Sequence, residues 1–266
     1  GNYLYRNNYC LPLGYMMDED AVTEWEDAIS NRLGSLNALA KALGCEDTMV
    51  RSVNCETEAV AGDTSFDIPE DGYYYADYTT CNSDSLNVNR GDGWNMNYSK
   101  TTHRYLLGLG KCKAGDRIHI SNTNMETIYF SVYKLDTDVV EQCYNTLNRQ
   151  TMKLTSMTDR SVEGTIDVKN EGRLVLSIPA DQGWTLYVDG RETEIAPLSD
   201  ALIGVHLTEG EHKIELHYTT PGMKNGAMIT GVAILLFVIS MWIARTSARR
   251  RVKTTQEKEE NGGKDE

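Results

Sequence analysis

The feature that most constrains this chain is its longest apolar run, Gly226 to Ala244, which reads GAMITGVAILLFVISMWIA. It has 19 residues and no charge. As a helix rising ~1.5 Å per residue it spans ~29 Å, close to the ~30 Å hydrocarbon core of a bilayer. A buried helix of a soluble protein is the competing reading. Such helices rarely run so far uncharged and then meet Arg245, Arg249, Arg250 and Arg251. Lys224 precedes the run and Lys253 follows the arginines. This excess of cations after the run puts the C-terminus in the cytoplasm and residues 1–223 outside. Trp242 suits an interfacial anchor at the inner end. The lipid bilayer is thus the first expected partner. Thr254–Glu266 is polar, contains Gly, and is expected to be a disordered tail.

Charge divides at the same place. The 266 residues carry a net −13, but from Lys224 onward there are 8 basic and 5 acidic residues, or +3. Residues 1–223 hold 18 basic against 34 acidic, or −16. An acidic balance of this kind argues against nucleic acid as a partner. The sequence begins Gly-Asn-Tyr. An acidic region outside the membrane needs an export signal or earlier membrane helices. The expectation is therefore a C-terminal piece of a longer membrane protein, or a processed one. Its partners would then include upstream transmembrane helices of the same protein.

Residues 1–57 are mixed. Tyr5-Arg6-Asn7 and Leu11-Pro12-Leu13-Gly14 suggest an extended, turn-rich start, and Glu24 to Ile29 a short helix. Ser35–Leu43 places Leu36, Leu39, Ala40 and Leu43 on one helical face, with Ser35 as cap and Gly44 as stop. From about Thr57 the pattern turns to period two, with turn signals every 8–12 residues. Strands are expected at Ser65–Ile68, Tyr73–Thr79, Leu86–Asn89, Arg104–Leu109, Arg117–Asn122 and Ile128–Leu135. Asp138–Arg149 reads as a helix, with Asp138 and Glu141 as a capping box. A second β block follows, with strands at Met152–Thr158, Ser161–Val168, Arg173–Ile178, Trp184–Val188, Glu192–Ile195, Leu202–Leu207 and Lys213–Tyr218. Asp189-Gly190 is a type I′ hairpin signal.

The fold class is thus mainly β, with two sandwich-like domains, one jelly-roll-like and one immunoglobulin-like, a small helical N-terminal part and one C-terminal transmembrane helix. The expected division is 1–57 extended and helical, 58–150 β-sandwich-like ending in a helix, and 151–222 immunoglobulin-like. A transmembrane helix at 223–245 and a cytoplasmic tail at 246–266 complete it.

Several stretches are shared, in order, with a known family. They include Leu4-Tyr5-Arg6-Asn7, Cys10-Leu11-Pro12-Leu13-Gly14-Tyr15, Leu107-Gly108-Leu109-Gly110 with Ala114-Gly115-Asp116, and Val132-Tyr133-Lys134-Leu135-Asp136. Ser177-Ile178-Pro179, Gly183-Trp184, Tyr187-Val188-Asp189-Gly190, Gly210-Glu211-His212, Ile214-Glu215-Leu216 and Tyr218 follow. With these the chain resembles the C-terminal extracytoplasmic region of YfhO-like bacterial multi-pass membrane proteins, over most of residues 3–245. The resemblance implies a bacterial cell-membrane protein similar to glycosyltransferases that use a lipid-linked sugar donor. Some of these act on cell-wall polymers of the lipoteichoic acid type. It implies that the catalytic acid lies in an early loop absent from these residues, so it assigns no catalytic residue here. The six cysteines depart from a family that is otherwise cysteine-poor.

Those cysteines, Cys10, Cys45, Cys55, Cys81, Cys112 and Cys143, permit three disulfides in 15 pairings, or free and partly buried thiols. There is no CxxC or Cys/His cluster, so no metal site and no cofactor are expected. Tyr73 and Tyr75 fall on one strand face and Tyr74 and Tyr78 on the other. Tyr73, Tyr75 and Trp94 are the candidate glycan-binding residues, against the plainer reading that Tyr is common in strands. Asn87, Asn89, Asp92 and Asn95 read as a hairpin tip rather than a calcium loop. Arg90-Gly91-Asp92 and Asn97-Tyr98-Ser99 match short motifs with no bacterial role. No nucleophile elbow, HExxH, phosphate loop or dinucleotide fingerprint occurs.

Two functions follow. One is the extracytoplasmic portion of a glycosyltransferase-like membrane protein, positioning donor or acceptor. The other is a non-enzymatic, membrane-anchored surface module that binds glycan or protein.

Overall fold

The computed structural model describes residues 7–28, 32–55, 57–60, 62–78, 83–99, 101, 106–125 and 127–262. In chain order the elements begin β1 (Gly14–Met17), α1 (Glu19–Ala28), α2 (Arg32–Ala42), β2 (Val50–Val53), β3 (Thr57–Val60), β4 (Asp63–Asp67) and β5 (Gly72–Asp77). Next are β6 (Ser85–Asn89), β7 (Asn95–Ser99), β8 (Leu106–Cys112), β9 (Arg117–Asn122), β10 (Ser131–Leu135) and α3 (Thr137–Leu147). Then come β11 (Lys153–Met157), β12 (Ser161–Val168), β13 (Gly172–Pro179), β14 (Trp184–Val188) and β15 (Arg191–Thr193). The last are β16 (Leu202–Leu207), β17 (Gly210–Tyr218) and α4 (Met223–Gly262).

The architecture is mainly β and sandwich-like. Sheets β2-β10-β5-β8 and β3-β4-β9-β6-β7 face each other. Alternation along each strand sends one side chain in two inward, which is why period two marked these segments. Tyr74 and Ala76 of β5 and Leu107 and Leu109 of β8 meet Phe66 of β4, Leu86 and Val88 of β6, and Ile118 of β9. A second pair of sheets, β1-β13-β16 and β11-β12-β17-β14-β15, closes on Leu174, Leu176, Leu186, Ile203, Ile214 and Leu216.

The three short helices form a layer against both parts. Val22, Trp25, Leu39 and Leu147 pack on the far face of the β1-β13-β16 sheet through Tyr15, Met17 and Val175. Leu33, Ala40, Val139 and Cys143 pack on β2 and β10 through Val50, Tyr133 and Leu135. The β1-β13-β16 sheet is therefore covered on both faces, and all four residues of β1 are buried.

Several expectations shift. No strand is expected before Ser65, yet Gly14–Met17 is one, paired with β13 from Gly14 opposite Leu176 to Met17 opposite Arg173. A strand buried on both faces has no polar side chains to alternate with, so GYMM gave no period-two signal. Val50–Val53, at four residues, joins the first sandwich beside β10. Helix α1 starts at Glu19 rather than Glu24, where Asp18 Oδ1 accepts from the Asp20 N–H at 2.9 Å. Ser35 lies inside α2 and is not its cap. The cap of α3 is Asp136, not Asp138. Its Oδ1 accepts from the N–H groups of Asp138 and Val139 at 3.0 and 3.2 Å. Asp138 then sits in the first turn, favourable there to the helix dipole.

Helix α4 runs on to Gly262, where a disordered tail was expected from Thr254. Its last stretch is rich in Arg, Lys, Gln and Glu, all good helix formers. Ile29, Thr79, Cys81, His103 and Arg104 lie outside the described residues. Among the described residues one helix is long and apolar enough to cross a membrane, at Asn225–Arg245.

Candidate functional site

The site grows out of the chain's route from β13 to the membrane helix. After Pro179 the chain turns at Ala180–Gln182. Asp181 Oδ1 accepts from the Gly183 N–H at 2.8 Å, and Asp181 O accepts from the Trp184 N–H at 3.1 Å. Gly183 is fixed by contact. A Cβ there would lie 2.5 Å from the Tyr218 ring and 2.7 Å from Thr219 O. The Thr219 N–H donates to Gly183 O at 2.8 Å, and the Trp184 and Tyr218 rings meet edge to face at 5.0 Å. Asp181 is the first cause that holds the Tyr218 phenol above its ordinary value. So Gly183-Trp184 and Tyr218, matched separately in the sequence, form one knot where β17 hands over to α4.

Beside this knot is a cleft of about 550 Å³, within the usual range for small-molecule sites. Trp184, Leu186, Ile195 and Pro197 give it an apolar wall. Gln182, Thr185 and Thr193 add uncharged hydrogen-bonding groups. Its charged lining is Asp181, Glu192, Glu194 and Asp200, with no Lys or Arg among the lining residues. A smaller hollow of about 300 Å³ shares Gln182 and Thr185 with it and reaches Thr219, Pro221, Gly222 and Asn225 at the start of α4. The two hollows are neighbours through Gln182 and Thr185, and the smaller one reaches the start of the membrane helix.

An aromatic face with many acceptors and several donors suits an uncharged polyhydroxylated ligand. Four carboxylates and no cation oppose a phosphate, because like charges a few ångströms apart repel by on the order of 1 kcal/mol each even in water.

The hairpin at the other end of β14 is held by a latch. Asp189 and Gly190 both have positive φ, 54° and 76°, the type I′ turn that the sequence predicted. Asp189 Oδ1 accepts from the Lys213 N–H at 2.8 Å, and Oδ2 accepts from His212 Nδ1 at 2.8 Å. His212 Nε2 donates to Thr208 O at 3.0 Å. A carbonyl and an ionised carboxylate only accept, so both ring nitrogens carry protons and the imidazolium is favoured. Asp189 is held below the ordinary carboxylate range, first by the Lys213 N–H and then by His212. His212 is held above its ordinary 6.5, first by Asp189.

The signs give a window. The His212 contribution is complete below 6.5 and is lost as pH rises through its raised value. The Asp189 contribution is present above 3.8 and is lost as pH falls through its lowered value. His212→Gln is therefore expected to flatten the loss of stability on the alkaline side, with thermal unfolding followed from about pH 5 to 9. Equal alkaline slopes in both proteins would remove the latch. A cleft beside it is lined by Lys153, Asp167, Glu211 and Lys213, of mixed sign, and lacks the acidic character of the first.

The sequence-predicted residues fall elsewhere. Tyr73 is exposed and Tyr75 half-buried, both on the outward face of β5, while Tyr74 and Tyr78 are in the core as the alternation implied. Trp94 sits at the β6–β7 hairpin, packed on the first core, with the Arg90 guanidinium 5.1 Å over its ring. Trp94 thus shares no strand face with the two tyrosines. Trp242 and Arg245 are exposed along α4, and Arg249, Arg250 and Arg251 continue that helix. No group of three or more metal-ligating side chains occurs among the described residues. The cleft carboxylates carried no sequence signal, since loops scatter them at no fixed spacing. Gly183-Trp184 was the visible mark beside them.

An acidic, mainly β region joined through this knot to the one helix among the described residues that is long and apolar enough to cross a membrane defines a membrane-tethered β-sandwich protein. The family model described as "Bacterial membrane protein YfhO" matches residues 3–230. The chain belongs to that family. A relative in Bacillus subtilis (strain 168), named "Uncharacterized protein YfhO", is 37% identical over 65 residues. That match spans 24% of this chain and 8% of the relative's length. Among solved structures, a cupin 2 conserved barrel domain protein from Leptotrichia buccalis is similar at 12% identity, covering 64% of this chain and 91% of that one. Its TM-score is 0.16.

Proposed function

We propose that this chain is the C-terminal extracytoplasmic portion of an integral membrane protein that acts like the lipid-linked-sugar-dependent glycosyltransferases of cell-wall polymers. Residues 1–223 face outward and the arginine-bearing end faces the cytoplasm, as the positive-inside rule requires. The chain's own task is positioning: it holds the sugar part of an acceptor or donor beside the membrane, where a catalytic loop elsewhere in the protein acts on it. The observation that carries this reading is the acidic, tryptophan-walled cleft, whose neighbouring hollow reaches the start of α4. A ligand attached to a lipid needs a site at that height. Tyr73 and Tyr75 on one strand face, and Trp94 at a separate hairpin, remain further candidates for glycan contact.

A second reading has one observation in its favour. All lining of the main cleft comes from residues 180–200, so binding needs nothing else in the protein. That fits a non-enzymatic surface module for glycan or protein.

The test is a titration of the full chain in lipid nanodiscs with cell-wall oligosaccharides, by calorimetry. Trp184→Ala is expected to weaken binding at least about tenfold, because truncating an anchoring aromatic costs on the order of 2 kcal/mol. Tyr218 makes the knot from the other side, so thermal unfolding of the variant is measured in parallel. Unchanged affinity in a folded variant would refute the cleft as the site.

A further inference from the structure

Of the pairings the sequence allows, one is in contact among the described cysteines. The Sγ atoms of Cys45 and Cys143 stand 3.6 Å apart, although the residues are 98 positions apart in the chain. Cys45 follows the end of α2 and Cys143 lies in the middle of α3. Both belong to the apolar cluster of Leu33, Ala40, Val50 and Val139, where α2 and α3 meet the first sandwich. Cys45 is half-buried and Cys143 is buried.

We infer that Cys45 and Cys143 form a disulfide in the mature protein, clamping α2 to α3 in the helical layer that touches both sandwiches. Two thiols already in van der Waals contact need only a small approach to reach the ~2.05 Å of an S–S bond. The bond closes a loop of nearly a hundred residues, the kind whose closure most restricts the unfolded chain. The oxidant is a disulfide of the extracytoplasmic space, so this inference rests on the outward orientation proposed above.

The chemistry balances by exchange. The Cys45 thiolate, at the more accessible position, attacks one sulfur of the oxidant disulfide and expels its partner as a thiol. Cys143 then loses its proton, attacks Cys45 Sγ in the mixed disulfide, and releases the oxidant's second thiol. Two protons leave the cysteines and two electrons reduce the oxidant. Burial pushes the Cys143 thiol up, so the second step is expected to quicken with rising pH. Cys10 is exposed, and Cys112 is buried in the first core.

The experiment traps free thiols in intact cells, digests the full chain without reductant and maps the peptides. A Cys45 peptide joined to a Cys143 peptide is expected, and it disappears on reduction. Separate alkylation of both cysteines, or either joined to another cysteine, would overturn the inference. Exposed Cys10, probed with a membrane-impermeant maleimide, reports orientation independently: labelling with both thiols free condemns the bridge and not the topology. The purified chain treated with oxidised glutathione then tests geometry alone, and failure to join the two again overturns it. In the bridged protein, reductant is expected to lower the unfolding midpoint by ~5 °C or more. Cys45→Ser, a change at the half-buried partner, should shrink that shift. An unchanged shift in Cys45→Ser would count against the clamp.

Discussion

Leu235→Arg in this 266-residue chain is expected to release it from membranes under alkaline carbonate extraction. Leu235 sits at the centre of Asn225–Arg245, where α4 is exposed around its whole circumference. An arginine at the middle of a spanning helix costs ~2.5–3.5 kcal/mol on insertion scales. The flanking run of Ile234, Leu236, Phe237 and Val238 supplies only ~0.3–0.6 kcal/mol per residue in return. One charge therefore erases the gain of about six such residues. Arg245→Leu at the end of the span should leave extraction unchanged and weaken only the orientation bias. A Leu235→Arg chain that stays with the membrane would mean that the ectodomain itself holds the bilayer.

The second large effect is expected in the second sandwich. Leu176→Ala should destabilise it by ~2–5 kcal/mol, the usual cost of a buried Leu truncation. Leu176 is fully buried on β13, the central strand of the three-stranded sheet, with the other sheet on one side and the helical layer near the other. It also presses on the other strand of the pair: a Cβ built on Gly14 would lie 2.7 Å from its Cδ2. The unfolding midpoint should fall by ~5–15 °C in calorimetry. Tyr73→Ala, on an exposed face, should stay within ~0.5 kcal/mol. Equal effects at the two positions would contradict the assigned strand faces.

How much of this was legible follows from how each segment is covered. Strands with one wet face, such as Ser161–Val168 and Arg117–Asn122, wrote their alternation into the sequence and were read at their true bounds. Gly14–Met17 is dry on both faces and wrote nothing. Neither did Asn95–Ser99, whose residues are mostly exposed. The Asp189-Gly190 turn is local chemistry, and its positive φ values matched the reading. Its latch to His212 is not local, since the partner stands 23 positions away. The Asp189-Gly190 and Gly210-Glu211-His212 stretches shared with the family are thus joined by a hydrogen bond. The cleft is the extreme case. Its carboxylates are brought together by a turn, a hairpin and a loop, and no spacing along the chain encodes that.

The acidic cleft walled by Trp184 is proposed to take an uncharged saccharide. Calorimetric titration of the full chain in nanodiscs with a neutral cell-wall oligosaccharide, and with the same oligosaccharide carrying a phosphate, tests it most directly. Saturable binding of the neutral form, with the phosphorylated form weaker by about tenfold or more, is the expected result. Tighter binding of the phosphorylated form, or no binding of either, would contradict it.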